Sequence, residues 1–409
     1  MKTKKIVVIG GGASGIIAAL SAKTEKNEVI ILEKNNRIGK KILVTGNGRC
    51  NYTNITLTEL DYNHPNFVKN IFSQFSVNET LDFFEQMGII AKIEEEGKAF
   101  PLSEQASSFL DVFLYELEKR QIKLVTNFDV NKIVKRKETF QIISKDKNII
   151  NADKVIIATG GKAMPLTGSD GSGYDIACSF GHKLIDVFPA LVKLKLDSPY
   201  LKQLSGVKIN SQVDLMVDGK VEQTQNGDIL FTNYGISGPT ILELSKRANE
   251  LLLENKDVKL RVILVQSVPK AKIINRIFNS LGNPIDQTLI GLVNKRFINV
   301  LIKEANIDKN NTLVKNLDKS QIYNLVNLLY DIKFKVIGSL GFEEAQVTSG
   351  GIDTNEINSS TMESKIVKGM YFSGEVIDID ARCGGYNLQW AWSSGYIAGE
   401  NARESAEND

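Results

Sequence analysis

Gly10, Gly12 and Gly15, in the order G-x-G-x-x-G, with Glu33 eighteen positions beyond the last, are residue types that together can hold a dinucleotide. Gly10 allows a tight turn, Gly12 lets backbone approach a pyrophosphate, and Gly15 permits close packing of the helix that begins there. Amides at that helix start, those of Ala13 and Ser14 included, favour anionic oxygens. Glu33 can accept from the hydroxyls of an adenosine ribose, and Lys34 follows it directly. The glycines alone are a weak signal, and their setting strengthens it. The run Lys5–Ile9 is apolar and largely β-branched, as a parallel strand buried on both faces should be. Ile16, Ile17, Ala19 and Leu20 give the next segment a helical apolar face, and the run Val29–Leu32 ends at the acid.

Two distant segments bear on which dinucleotide is held. Lys154–Thr159 (KVIIAT), ending in Ala158 and Thr159 and followed by Gly160 and Gly161, looks like the returning strand that passes beneath FAD. The runs Ile122–Val125 and Asn131–Lys135 alternate like strands, and Val130 falls where backbone could hold the adenine. Near the C-terminus Gly369–Ser373 reads as a further short strand, with Gly374 and Asp380 flanking a turn. Gly384 and Gly385 precede Tyr386–Ala398, which has helical spacing and small residues. Amides at the start of that helix, around Gly385, Tyr386, Asn387 and Leu388, could face the pyrimidine end of a flavin. An ordinary glycine-capped core helix is the alternative.

Four segments carry a resemblance: GKKILVTGNGRCNYTN from Gly39, GDILFTNYGISGPTIL from Gly227, EAQVTSGGI from Glu344 and GGYNLQWAWSSG from Gly384. Together they resemble the BaiN-like (YhiN-like) flavoproteins, also called the aminoacetone oxidase family, over nearly the whole chain. The resemblance implies an α/β fold: a two-dinucleotide-binding-type FAD (Rossmann-like) domain built from both chain ends, with an inserted β-barrel plus helical domain. The expected boundaries are 1–190 and 343–409 for the FAD domain and 191–342 for the insert, with 191–265 as barrel and 266–335 as helices. Short alternating runs and the Asp218-Gly219 hairpin signal between Val213–Val217 and Lys220–Gln223 agree with the barrel. Ile273, Ile274, Ile277, Phe278, Leu289, Leu292 and Val293 agree with the helices. The chain is expected to return to the first domain near Gln346–Gly351, with TSGG as a tight loop.

The same resemblance places the glycine-rich loop containing Asn47, Gly48, Arg49, Cys50 and Asn51 beside the flavin ring, and makes Lys41 and Glu375 cofactor contacts. Cys50 could donate a proton to a substrate carbon or merely fill a small gap. A redox disulfide between Cys50 and Cys383 is a further reading. The implied chemistry divides in two. A reductase would take electrons from NAD(P)H and add hydride to an activated alkene, such as a steroid enone or a uracil of ribosomal RNA, with Cys50 or Tyr386 as acid. An oxidase would pass electrons from a small amine to oxygen, with Glu375 or the insert binding the amine. A flavin-binding redox sensor is a third reading. Departures from the family pattern include Lys98 in GKAFP, where relatives tend to carry arginine, GSDGSGY at Gly168–Tyr174, and Lys193 with Lys195. Lysine at 98 keeps a charge without the planar fork.

The composition frames these readings. With 42% hydrophobic residues among 409, the chain can bury a large core. Cys50, Cys178 and Cys383 are too scattered for a disulfide framework or a zinc site, and His64 and His182 stand far apart, so no metal is expected and a cofactor must carry the hard chemistry. The longest apolar run is too short for a membrane span, and a cytoplasmic setting is expected. Between Leu191 and Phe342, 21 Lys and Arg stand against 14 Asp and Glu, while the remainder has 29 against 34. The insert is therefore basic, as a solvated surface or an anion-binding one would be. A small-molecule substrate or ribosomal RNA is the expected partner, and nothing in the sequence signals an oligomeric state.

Overall fold

The apolar runs on either side of the glycine fingerprint become adjacent strands of one parallel sheet. In a computed structural model, which describes residues 3–308 and 313–408, five strands lie in the order Met370–Phe372, Lys154–Ile157, Lys4–Ile9, Asn27–Leu32, Lys123–Val125. All neighbours are parallel, and register aligns Phe372, Ile157, Ile9, Leu32 and Val125 in one row. All five strands therefore end level, and the segments after them emerge along one edge of the sheet. In open parallel sheets that edge is where ligands bind.

The two ends of the chain meet on this sheet. The helix Ala13–Ala22 is buried at every residue after Ala13, and the C-terminal helix Tyr386–Asn408 packs along it. Gly395 and Gly399 make that approach possible: a Cβ on them would stand 2.4 Å from the Ser14 carbonyl oxygen and 2.3 Å from that of Ala18. The helix runs ten residues beyond the expected Ala398 because Ala402 and Ala406 continue its buried stripe. Flanking the sheet are an antiparallel sheet of Val130–Arg136, Thr139–Ser144 and Ile149–Ala152, and a two-stranded sheet of Leu184–Ala190 with Val347–Ile352.

That last strand corrects the expectation of a tight TSGG loop. Val347–Ile352 pairs as a strand and is buried throughout, with Gly350 at a φ of 83°. Its glycines serve close approach rather than a turn: a Cβ on Gly350 would lie 2.2 Å from the Asp186 carbonyl oxygen.

The described residues of Met1–Pro189 with Ala345–Asp409 form one compact unit and Ala190–Glu344 a second. The second contains a closed antiparallel barrel in the order Leu194–Asp197, Gly235–Ser237, Lys220–Phe231, Lys208–Val217, Val258–Ile263, Ile332–Ser339. The Asp218-Gly219 turn has φ of 48° and 81°, as a two-residue hairpin requires. The barrel is not confined to 191–265. Its sixth strand, Ile332–Ser339, follows the helices and pairs with both Leu194–Asp197 and Val258–Ile263. The helical part, including Lys270–Phe278, Lys295–Glu304 and Lys319–Leu328, thus interrupts the barrel and ends before 335. No helix of the described residues is long and apolar enough to cross a membrane.

Candidate functional site

The site is the row of segments leaving the level strand ends. At its centre Gly10, with φ of 106°, turns so close to the returning strand that a Cβ would stand 2.3 Å from the Ala158 carbonyl oxygen. Gly12 has nothing within 4 Å of the place a Cβ would occupy, so open space faces the start of the helix at Ala13 and Ser14. Glu33 is buried beside this turn. Its Oε2 accepts from the Gly11 amide at 2.8 Å, and its Oε1 from the amide and the side chain of Asn35, both at 2.8 Å. The Phe128 amide donates to the Glu33 carbonyl at 2.9 Å, which brings buried Val130 to the same end of the site. Lys34 is held by Asp170 at 2.5 Å.

A second cluster joins the returning strand to the C-terminal segments. Buried Ala158 leads to Thr159, Gly160 and Gly161, and the amides of Lys162 and Ala163 donate to Thr348 Oγ1 at 2.7 and 2.9 Å. The Thr348 amide donates to Glu375 Oε1 at 2.7 Å, and Lys41 Nζ donates to Glu375 Oε2 at 2.8 Å. Glu375 thus has both oxygens engaged. Nearby, the buried hydroxyls of Thr159, Tyr174 and Ser373 have no hydrogen-bond partner among the described residues. Burial, with Glu375 and Asp378 nearby, pushes the Tyr174 hydroxyl well above its ordinary range, so it stays a donor. Orphaned buried hydroxyls are costly unless something bonds them. Together with the open glycine turn and the engaged acid, they fit a polar dinucleotide lying along the sheet edge.

The loop after Lys41 is partly what the sequence suggested. Gly46, Asn47 and Gly48 are exposed and successively left-handed, with φ of 55°, 56° and 82°. The next three side chains are committed elsewhere. Arg49 does not present a free guanidinium: it bonds Glu94 at 2.5 Å and Glu104 at 2.6 Å and lies 4.1 Å over the Phe100 ring. With its nitrogen turned inward, the Asn51 carboxamide donates to the carbonyls of Ala99 and Thr53 at 3.1 and 3.0 Å. Cys50 is wholly buried in the main core, and burial pushes its thiol up to about 12 against the opposing pull of Thr45. A thiol so placed packs, and it is poorly set to hand a proton to a ligand. Cys383 is exposed with its sulfur 3.7 Å from Gln346 Oε1, and no disulfide joins it to Cys50.

The C-terminal side completes the row. Gly374 donates its amide to Ser394 Oγ at 2.9 Å, and buried Asp380 accepts from Ser349 Oγ at 2.8 Å. A Cβ on Gly385 would stand 2.4 Å from the Thr53 carbonyl oxygen, so the turn before the long helix sits directly on the segment after Asn51. Asn387 ties that turn together by accepting from the Ala381 amide at 3.0 Å and donating to its carbonyl at 2.9 Å, and half-buried Leu388 follows. The Tyr386 hydroxyl accepts from Arg382 Nη2 at 2.5 Å.

Sequence reading missed Thr348, Tyr174, Ser373 and Arg382. The TSGG segment and the residue before Gly374 carried a signal for two of them, whereas Tyr174 and Arg382 acquire their roles only through packing.

The comparisons with known proteins bear on this geometry. A family model described as HI0933-like protein Rossmann domain matches residues 4–401. The 3-dehydro-bile acid delta(4,6)-reductase of Clostridium scindens is 37% identical over 98% of this chain and 99% of its own. The ribosomal RNA dihydrouridine synthase of Haemophilus influenzae is 31% identical over 95% of this chain and 96% of its own. Among solved structures, 3-ketosteroid delta1-dehydrogenase from Sterolibacterium denitrificans is similar in fold, with a TM-score of 0.51 at 12% identity over 98% of this chain and 100% of that one.

Proposed function

This chain belongs to the HI0933-like Rossmann-domain family and is an FAD-dependent oxidoreductase, and from that premise we propose that it reduces a carbon–carbon double bond conjugated to a carbonyl, with NAD(P)H as reductant. The observation that carries the reading is the buried Tyr386 hydroxyl at the start of the helix Tyr386–Asn408, fixed as an acceptor from Arg382 so that its own hydrogen is left to donate. An acid in that position suits addition across an activated alkene. The full-length likeness to a relative named as a delta(4,6)-reductase supports the same direction of electron flow.

FAD, when bound, supplies the electron pair and hydrogen that one alkene carbon receives. The protein's residues do the rest. Glu33 and the segment ending at Val130 hold the adenosine end, and the open turn at Gly12 with Ala13 and Ser14 receives the pyrophosphate. Thr159, Gly160, Gly161, Gly374 and Asp380 line the edge beneath the cofactor, while Lys41 and Glu375 brace each other there. Tyr386 gives its proton to the second alkene carbon. The backbone of Asn47 and Gly48 and the turn at Gly385, Asn387 and Leu388 shape the ring end.

A steroid-type enone and a uracil share this reactive group. The excess of Lys and Arg in the insert favours admitting the RNA form. An amine oxidase gains less support, because the charge of Glu375, one of its candidate binding groups, is already met by Lys41 at 2.8 Å. The test is anaerobic stopped-flow of the photoreduced holoenzyme against a 3-keto-4-ene steroid, a uridine-containing RNA, aminoacetone and oxygen. Rapid reoxidation by an alkene with a slow reaction with oxygen is expected. Rapid reoxidation by oxygen with stoichiometric peroxide, and none by any alkene, would sink the reading.

A further inference from the structure

We propose that Arg382, held by Asp61, is the positioning residue that makes Tyr386 a proton donor, an inference that rests on the reductase reading above. Arg382 Nη2 bonds the Tyr386 hydroxyl at 2.5 Å and Asp61 Oδ1 at 3.1 Å, and its guanidinium carbon lies 4.6 Å over the Tyr386 ring. A phenol oxygen that accepts from a guanidinium must direct its own hydrogen elsewhere. The same cation then faces the oxygen on which negative charge appears when that hydrogen leaves.

Arg382 is itself exposed, but the two groups it bridges are anchored by the fold. Asp61 is delivered by a bridge between Tyr62 and Ala381, by the Asn63 amide donating to the Asp380 carbonyl at 3.2 Å, and by the Asp380 amide returning to Asn63 Oδ1 at 3.0 Å. Tyr62 closes the clamp: its hydroxyl donates to the Tyr386 carbonyl at 2.7 Å. Burial, then Asp61 and Tyr386, push the Tyr62 hydroxyl well above its ordinary range, so it remains a structural donor. Two segments from opposite ends of the chain thereby fix one hydroxyl.

In the step inferred, the O–H bond of Tyr386 breaks and its proton joins the alkene carbon that takes the π pair. The two electrons that reduce the substrate come from the reduced cofactor. The phenolate, facing Arg382, regains a proton from water.

The experiment compares holoenzyme carrying Arg382→Gln, Arg382→Lys and Tyr386→Phe, with 4-androstene-3,17-dione and a uridine-containing stem-loop RNA as acceptors. Tyr386→Phe should lower kcat by about a hundredfold or more. Arg382→Gln should lower it by about tenfold or more with KM changed less than about twofold, and Arg382→Lys should recover part of the loss. A second readout needs no turnover. In protein labelled with 13Cζ-tyrosine, the signal absent from Tyr386→Phe should shift in Arg382→Gln and move back toward its original position in Arg382→Lys. Wild-type turnover with an unchanged kcat in Arg382→Gln, or an unmoved tyrosine signal, overturns this inference alone. Wild-type failure with every alkene overturns the reductase reading and this inference with it.

Discussion

Replacing Gly395 by alanine sets two effects of opposite sign against each other. Mid-helix glycine costs about 0.8–1 kcal/mol relative to alanine, so propensity alone makes the change stabilising. The new Cβ, however, would stand 2.4 Å from the Ser14 carbonyl oxygen, where contact distances are about 3.5 Å. The obstacle is backbone of the facing helix Ala13–Ala22, so no side chain can rotate to relieve it. The two helices must part by roughly 1 Å, and overpacking of this kind costs about 1–3 kcal/mol, with dispersion lost on both sides of the gap. We expect a net loss of about 1 kcal/mol, read as a lower urea midpoint by flavin fluorescence, with Gly282→Ala, which meets nothing within 4 Å, as the control. Because Ser14 stands in the glycine fingerprint, FAD affinity should fall as well, by tenfold for each ~1.4 kcal/mol lost there. A midpoint at or above wild type would refute the reasoning, since propensity would then outweigh a contact held to be closed.

Three further outcomes follow from the same geometry. Glu33→Gln cannot accept from both the Gly11 and Asn35 amides, and should weaken FAD binding by about 1–3 kcal/mol in fluorescence titration while leaving the fold intact. At pH 8 an alkylating reagent should modify Cys178 and Cys383 but spare Cys50 in native protein, as read by mass spectrometry, and Cys50→Ala should keep alkene turnover while losing about 1 kcal/mol of stability. His182 is buried between Glu356 and Ser364, and burial lowers its pKa below the ordinary 6.5 despite the carboxylate. The unfolded chain therefore takes up the proton first, so the stability His182 confers is full above about 6.5 and is lost as pH falls through that value toward the folded pKa; the stability difference between pH 7.5 and 5.5 should shrink in His182→Gln.

What was legible in the sequence was local. The fingerprint, its strands and Glu33 are short-range patterns, and the register that levels Ile9 with Leu32 follows from two apolar runs joined by one helix. The Asp218-Gly219 hairpin is equally local. What was illegible depended on partners far along the chain. TSGG carries turn residues, and only the backbone of Asp186 beside Gly350 reveals that its glycines serve a buried strand. The alternation of Ile332–Ser339 was open to view, yet a strand after a helical stretch gains meaning only once the barrel has two edges to close. Arg49 is expected at the flavin because the resemblance places its loop there, and Glu94 and Glu104 reach it only after folding.

The joints of the site separate the backbone that sets its frame from the side chains at its rim. Where the segments meet, at Gly10 against Ala158, Gly385 against Thr53 and Gly395 against Ser14, backbone touches backbone and no side chain fits between. The cofactor edge is thus set by contacts that tolerate little substitution. Beyond it, near Tyr386, lie the exposed Arg382 and Cys383 and the half-buried Lys98, whose Cε would lie 3.8 Å from a Cβ on Gly384. Changes there leave the joints untouched. Lys98, paired with Glu96 at 2.5 Å, lies outside these joints, and Lys98→Arg should move KM for an anionic acceptor while leaving FAD affinity within about 0.5 kcal/mol of wild type.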